Sequence, residues 1–350
     1  MRTLSATEAI TPAIERTKAM LSPFSLGRTL KLGLIALLAE MGSQFLLPPF
    51  GNHVPHSNFQ NSGISGIAGG LTQQTAIVLA VIGVVFFLLG LTLLYFGSRM
   101  QFVLMDLVAY RTALVAPSWR KHGPRTWPWI GIKIASFLAV FAVVTAIVAW
   151  PVLHFIRSIP AGGSQPPNAA AIGNFLFLFA IILFVVLAFM LCIWALRDFV
   201  LPFVVFDGVS FRSAFSAAAT LIGHEPGGVL LYFFMKFVLT LATAIAAELC
   251  ILAAVLVGAI PLGLIGGAIW LLLHHAGLFG TTMIYVSFGL LTLIFFAFIV
   301  AVGVCVAGAV LLFYQAYTLY FLGGRIRTLG DLMEPPPPPI VQAAPFFDPA

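Results

Sequence analysis

Two glutamates, Glu40 and Glu248, lie inside stretches of apolar sequence. A charged carboxylate in hydrocarbon costs roughly 3 kcal/mol or more, so each side chain must face protein or water, find a partner, or stay protonated. One interpretation is a proton or cation site. The other is a neutral glutamic acid that hydrogen-bonds between helices. Both residues are therefore candidate intramembrane acids.

Helical spacing predicts the direction in which the Glu248 side chain points. Small residues recur every four positions around it, which is typical of close helix–helix contact, and a similar stripe lies farther along the chain. At about 100° per residue, Glu248 lies roughly opposite its own stripe, so we expect it to point away from that contact. The two stripes are Ala242, Ala246, Cys250, Ala254 and Gly258, and Ala297, Ala301, Cys305 and Ala309.

Four histidines have spacings that could bind a metal: His53-x-x-His56 and the adjacent pair His274-His275. Neutral imidazole suits zinc or copper, so these four residues are weak metal candidates. Because neither a predicted helix nor a carboxylate ligand accompanies them, the spacing favours ordinary loop and interface histidines. The three cysteines lie in apolar runs, where we expect packing thiols without a disulfide or a metal.

Three arginines, Arg99, Arg197 and Arg325, follow small residues at the ends of hydrophobic runs. Cationic side chains at the inner leaflet attract anionic lipids, so these residues are candidate lipid-headgroup contacts. For Arg197 the alternative is a local pair with Asp198 that anchors a helix end at the interface.

The composition excludes a soluble domain. Hydrophobic residues make up 61% of the 350 and charged residues 8%, too little polar side chain to cover the apolar surface in water. The net charge of +6 is spread as anchors between hydrophobic runs, which favours membrane topology over nucleic-acid binding. No P-loop, dinucleotide-binding glycine motif, HExxH or GxSxG occurs, so we predict no cofactor and lean against an enzyme.

Six apolar runs are long enough to span a bilayer. The segment Pro261–His275 is short and broken by glycine, and it predicts an interfacial or re-entrant piece, with a seventh span as the alternative. All but Arg157 of the 17 lysines and arginines lie on one side of the six-span arrangement, which places both termini in the cytoplasm of an inner-membrane protein. The predicted spans are Thr29–Leu47, Ala76–Gly97, Ile130–Phe155, Ile172–Leu196, Val229–Gly258 and Tyr285–Leu322.

The spans form three similar units, each an amphipathic helix followed by two spans. In the first amphipathic helix, Ile10, Ile14 and Leu21 share a stripe and Arg16 lies off it. In the third, Ser210–Ile222, the apolar face carries Phe211, Phe215 and Leu221, and Arg212 is on another face. Such helices either lie in the inner interface or cover the end of the bundle.

The predicted fold is an all-α, polytopic transmembrane bundle. Residues 1–28 form a cytoplasmic amphipathic segment without a cleavable signal peptide, because no apolar core region interrupts their charges. Residues 29–324 form the transmembrane domain. Residues 325–350 form a disordered tail around the proline run Pro335–Pro339.

Three stretches carry a family resemblance: Arg197–Pro202, Asp207–Phe215 and His224–Gly227. They resemble bacterial multi-pass membrane proteins of unknown function, which are related to the membrane domain fused to some glycerophosphoryl diester phosphodiesterases. The opening Ala13–Lys18 is similar too. The resemblance implies a six-helix integral membrane fold. It implies no catalytic residue, because no soluble phosphodiesterase domain is present.

Two functions remain open from the sequence. A transporter or lipid-handling protein would use Glu40 and Glu248 in a cavity and the three arginines at the inner leaflet. A non-catalytic scaffold or accessory subunit would use the small-residue stripes and the proline tail. A membrane-embedded enzyme lacks a recognisable nucleophile–base pair. The expected partners are the lipid bilayer and anionic lipids, with no nucleic acid, and the sequence names no protein partner.

Overall fold

A computed structural model describes residues 3–44, 73–112, 114–158, 169–275 and 277–333. Within these ranges the chain is helical and contains no strand. The elements are α1 (Ile10–Leu21), α2 (Leu26–Gln44), α3 (Gln73–Tyr110), α4 (Val115–Lys121), α5 (Gly123–Ser158), α6 (Ala169–Ala195), the π-helical turns π1 (Leu196–Val200) and π2 (Phe203–Asp207), α7 (Phe211–His224), α8 (Pro226–Leu273), α9 (Gly277–Gly323) and α10 (Arg327–Met333). His53, His56 and the proline run of the tail lie outside the described residues.

Five helices are long and apolar enough to cross a membrane: α3, α5, α6, α8 and α9. They confirm the all-α polytopic membrane bundle. The helix at the first predicted span, α2, is not among them, because its 19 residues include Arg28, Lys31 and Glu40. It packs along α3 and α9.

Helix α8 corrects the prediction for Pro261–His275. It runs unbroken for 48 residues with Pro261 inside it, so this segment is neither a re-entrant piece nor a separate span. Neighbouring helices and local adjustments satisfy the carbonyl that a proline frees in a membrane helix, which is why such prolines are tolerated. At 1.5 Å per residue α8 is about 72 Å long, and α9, with 47 residues, is of similar length.

The order of the elements follows the predicted repeat. A short helix precedes two long ones three times: α1 before α2 and α3, α4 before α5 and α6, and α7 before α8 and α9. The long helices of each unit pack against each other. The three short helices therefore occupy equivalent positions in the sequence order.

The apolar core lies at one end of the bundle, which we call the packed end. It includes residues 102–109 of α3 and 312–322 of α9 together with residues of α1, α2, π1, π2 and the inner face of α7. The remaining apolar lengths, which we call the open arms, are exposed; they include residues 77–91 of α3, 249–272 of α8 and 283–300 of α9. Bilayer lipid can cover such arms because it is as apolar as their side chains.

Glycine pairs, rather than the predicted alanine–cysteine stripes, make the closest helix contacts. A Cβ on Gly308 would lie 2.2 Å from Cα of Gly33, and one on Gly42 would lie 2.3 Å from the carbonyl carbon of Gly97. These pairs join α2 to α9 and to α3. In the predicted stripes, Ala242, Ala246, Cys250 and Ala297 are exposed, and the other five residues are half-buried, so the first part of each stripe makes no close contact.

Helix α1 presents a different face to the core from the one that its hydrophobic pattern predicts. Ile14 is 53% exposed, whereas Arg16 is buried. The Arg16 guanidinium donates to the carbonyls of Val108, at 3.0 Å, and of Ala109, which are otherwise free at the C-terminal end of α3. Burial, with a smaller contribution from nearby Arg111, lowers the pKa of Arg16. The carbonyls of α3 therefore compensate a desolvated cation.

Candidate functional site

The π1 turn places two adjacent charged residues against different helices. Arg197 Nη1 lies 2.5 Å from Oε2 of Glu40 on α2, while Asp198 forms an ion pair with Lys236 on α8. These two ion pairs reach the first and third units of the chain, whereas the sequence predicted a local pair between Arg197 and Asp198. Such π-helical turns interrupt α-helices frequently at functional sites, because they redirect side chains.

Asp198 is the centre of a buried polar cluster between π1, α8 and α9. Its Oδ2 accepts from Lys236 and, at 3.0 Å, from the Tyr232 hydroxyl. That hydroxyl also lies 2.7 Å from Thr318 Oγ1 on α9. The Tyr232 ring stacks on Tyr317, with 5.3 Å between the ring centroids. The cluster ties the end of α6 to the third helix pair.

Lys133 forms a second buried cluster between α2, α3 and α5. Its ammonium donates to the Gly42 carbonyl at 2.8 Å, to Ser98 Oγ at 3.0 Å and to Gln101 Oε1 at 2.9 Å. Gln101 also accepts from Trp129 Nε1 at 2.8 Å. The three donors of the ammonium thus have three neutral oxygen acceptors. This arrangement fixes Lys133 as a link between helices.

Asp106 and His122 form a third buried pair. Their Oδ2 and Nε2 atoms are 2.8 Å apart, and Lys121 Nζ lies 3.6 Å from the same carboxylate oxygen. The imidazole stacks on Phe102, with 5.4 Å between the ring centroids. Because both side chains are almost fully buried, this pair holds α4 against α3 rather than facing a substrate.

A wide-open groove of about 820 Å³ lies along one face of α7; we call it the polar cavity after the hydroxyls on one of its sides, although most of its surface is apolar. Helical spacing brings a row of hydroxyls onto this face, together with cationic and aromatic groups at its edges. The helix begins at Ser210, whose Oγ accepts from the Ser213 amide at 3.3 Å. The lining residues are Phe203, Ser210, Arg212, Ser213, Ser216, Ala217, Thr220, Leu221, His224 and Arg325.

An apolar cavity of about 470 Å³ lies on the other side of α7, between α5 and α6. The two phenylalanines predicted for the apolar face of the amphipathic helix, Phe211 and Phe215, both line it. The remaining lining residues are Trp129, Ile132, Ser136, Cys192, Leu196, Val200 and Arg212.

Arg212 lines both cavities. Its side chain is exposed, and it makes no hydrogen bond or ion pair with another described residue. A guanidinium keeps its charge at any physiological pH and offers paired donors to a phosphate. The boundary between the polar and the apolar cavity is therefore marked by one uncompensated cation.

The predicted headgroup arginines are each held by the protein. Arg99 donates to the Trp119 carbonyl at 2.6 Å and to the Tyr95 hydroxyl at 2.6 Å. Arg325 forms an ion pair with Glu225 at 2.7 Å; of the three arginines it alone lines the polar cavity. Arg99 and Arg197 therefore connect segments of the bundle, whereas Arg325 also lines the polar cavity.

The other predicted residues are dispersed. Glu40 pairs with Arg197, but Glu248 is exposed on α8 and has no hydrogen bond or ion pair with a described residue. His274 and His275 lie side by side, with 3.5 Å between ring centroids. No group of three or more His, Cys, Asp or Glu side chains among the described residues is arranged to hold a metal.

Sequence reasoning missed Lys133 and Lys236 as bundle residues, and it did not single out Arg212. The signal for the two lysines was present, since each lies inside a predicted span, where an unpaired ammonium would be costly. The amphipathic pattern of α7 placed Arg212 outside the apolar face of the helix. No sequence pattern indicated the cavities, because they depend on how α7 packs against π2 on one side and against α5 and α6 on the other.

No curated protein and no solved structure matches the chain. The resemblance to the membrane domain fused to glycerophosphoryl diester phosphodiesterases therefore stays a prediction. A family model does match, over residues 4–332, and it describes a family of unknown function. Since the match extends over nearly all described residues, the chain belongs to the DUF7544 family.

Proposed function

We propose that this protein handles lipid: it binds an anionic phospholipid of the inner leaflet across α7. The observation that carries the proposal is the position of Arg212, an uncompensated cation on the shared wall of a polar and an apolar cavity. A phospholipid has the same order of groups, with a phosphate between a polar headgroup and apolar chains.

The chemistry of the two cavities supports this assignment. A guanidinium can donate two parallel hydrogen bonds to a phosphate, and it is less strongly hydrated than an ammonium. The apolar cavity is bounded by α5 and α6, two of the five helices suited to a membrane. An acyl chain could therefore enter it from the bilayer without crossing water.

The proposed topology agrees with this position. We take α2 as a first crossing, because it packs along α3 and α9, and five further crossings return both termini to the basic, cytoplasmic side. Helix α7 then lies at the inner interface, where anionic headgroups attract cationic side chains. An inner-membrane location belongs to the same proposal.

The polar clusters support a positioning role. The π1 turn carries Leu196 and Val200 on the wall of the apolar cavity, while Arg197 and Asp198 in the same turn are fastened to α2 and α8. The clusters thereby hold one wall of the proposed lipid site. Because the charges of these clusters are paired with each other, the clusters support a rigid binding site more than a site for a transported ion.

The test is native mass spectrometry of the protein released gently from its own membrane. We expect co-bound phospholipid on the wild type and a loss of about tenfold or more on Arg212→Gln, since a hydrogen bond to a charged group contributes about 1.5–3 kcal/mol. Arg327→Gln is the matched control, because it removes the same charge from an exposed residue that lines neither cavity. Equal lipid on both variants would refute the proposal.

Two native thiols give an independent measurement. Cys192 lines the apolar cavity, and Cys250 is exposed on α8 away from it. Added phospholipid covers Cys250 on its open arm, so the specific effect is a slower modification of Cys192 by a maleimide relative to that of Cys250 in the wild type. In Arg212→Gln the protection of Cys192 should require about tenfold more lipid.

A further inference from the structure

The long arm of α8 carries one carboxyl group without a partner among the described residues. Glu248 is exposed and makes no hydrogen bond or ion pair with any of them, and it is the only acidic or basic residue between Lys236 and His274. We infer that the Glu248 face of α8 is the contact with a second copy of this chain, in which the two Glu248 carboxyl groups pair. This contact is separate from the lipid site proposed above.

The depth of Glu248 in the bilayer requires a protein partner. Lys236, which pairs with Asp198 of π1, lies at the basic end of the spans. Glu248 is 12 positions farther along α8, about 18 Å at 1.5 Å per residue. Because the hydrocarbon layer is about 30 Å thick, this carboxyl group lies near its middle, where neither water nor lipid chains offer a hydrogen bond.

A second copy supplies a partner with matching chemistry. A carboxyl group that holds its proton has one O–H donor and a carbonyl acceptor, so two such groups can exchange two hydrogen bonds. In a twofold dimer the same face of each copy meets the other. Two copies with the same orientation in one bilayer also place Glu248 at the same depth. The carboxyl group is therefore complementary to its own symmetry mate.

The length of α8 gives an independent reason for a second copy. From Gln74 to Arg99, the uncharged length of α3 is 25 positions, about 38 Å, whereas α8 has 38 positions, about 57 Å, from Lys236 to His274. To fit the layer that α3 crosses, α8 would have to tilt by about 50°, beyond the usual range of about 0–40°. A second copy has an equal apolar arm at the same height, and it can cover the excess.

The Glu248 face is open to such a contact. Helix α9 packs on a different face of α8, where Thr243 hydrogen-bonds to Tyr314. Ala244 and Leu252, one turn before and one turn after Glu248, are both exposed. At about 100° per residue these two positions share the Glu248 side of the helix. No described residue therefore covers this face.

Disulfide cross-linking of the full chain in its own membrane tests the inference. The background carries Cys192→Ala, Cys250→Ala and Cys305→Ala. Ala244→Cys places one thiol on the Glu248 side, and Ala246→Cys, at an equally exposed alanine, places it on the opposite side of α8 as the matched control. With copper phenanthroline, we expect Ala244→Cys to form at least tenfold more covalent dimer than Ala246→Cys.

The carboxyl pair is tested in the Ala244→Cys background. Glu248→Leu removes both hydrogen bonds and should lower the yield of dimer about tenfold. Glu248→Gln should keep most of the yield, because two amides can also exchange two hydrogen bonds. Equal cross-linking at positions 244 and 246, an unchanged yield for Glu248→Leu, or a product that contains another protein would each overturn the inference.

Native mass spectrometry gives a second measurement that needs no introduced cysteine. The wild type, released gently from its membrane, should appear at twice the 37.5 kDa of one chain. We expect Glu248→Leu to shift the population to the monomer and Glu248→Gln to remain dimeric. A wild type that is monomeric under these conditions would contradict the inference and leave the proposed lipid site unaffected.

Discussion

The packed end and the open arms hold together for different reasons. At the packed end, side chains such as Tyr232, Tyr317 and Phe102 are buried against protein, and charged groups find partners on other helices. Along the open arms, apolar side chains are exposed, with little contact from protein. In a bilayer, lipid replaces an apolar neighbour without loss, but it cannot replace a hydrogen-bond partner. The polar contacts therefore determine how the helices are arranged.

The largest expected effect comes from breaking the Asp198 cluster. Asp198→Asn leaves the ammonium of Lys236 without its carboxylate in a nearly buried site, and removing one partner of such a pair costs about 3–5 kcal/mol. We expect a large fall in the thermal midpoint, measured by tryptophan fluorescence in detergent. Adding Lys236→Met should recover much of the loss. A wild-type midpoint for Asp198→Asn would show that apolar packing alone holds the packed end.

A smaller effect is expected at the glycine contact between α2 and α9. Gly308→Ala would place a Cβ against the backbone of Gly33, and overpacking of this kind costs about 1–3 kcal/mol. Gly303→Ala, also on α9, meets no atom within 4 Å and should be neutral or slightly stabilising. Unfolding in the same detergent, compared between the two variants, measures the difference. Equal stability would mean that α2 and α9 do not touch as described.

The smallest expected effect comes from replacing each of the two candidate acids. Glu40→Gln removes the carboxylate that pairs with Arg197 in a half-buried site and should cost about 1–2 kcal/mol. Glu248→Gln changes an exposed residue without a partner among those described, and its cost should stay below about 0.5 kcal/mol. A larger destabilisation for Glu248→Gln would show that the open arms also contain a stabilising polar contact. The contrast between the packed end and the open arms would then be weaker.

The sequence predicted the parts of this fold that follow from single helices. Runs of about 20 apolar residues predict spanning helices because each helix satisfies its own backbone, and the long helices occur where those runs lie. Pro261 misled the prediction, since a proline that ends a helix in water is tolerated among membrane helices. The face of α7 was predictable from its 3.6-residue period, and Phe211 and Phe215 lie where that period places them.

Contacts between helices were not predictable in the same way. Glu40 and Arg197 were each singled out, but nothing in a single sequence sets the register that brings α2 to π1. Arg16 was placed on the wrong side of α1 because hydrophobicity alone does not count the free carbonyls at the end of α3. The cavities around Arg212 depend on three helices at once, which no local pattern encodes.

The pairing of Glu40 with Arg197 also has a consequence for synthesis. The two residues are 157 positions apart, so at about 5–20 residues per second Glu40 is made roughly 8–30 s before its partner exists. Asp198 and Lys236 are only 38 positions apart, so Asp198 is made about 2–8 s before Lys236. During the longer interval Glu40 lacks its contact with Arg197. That link between the first and second helix pairs therefore forms only after the second pair has been made.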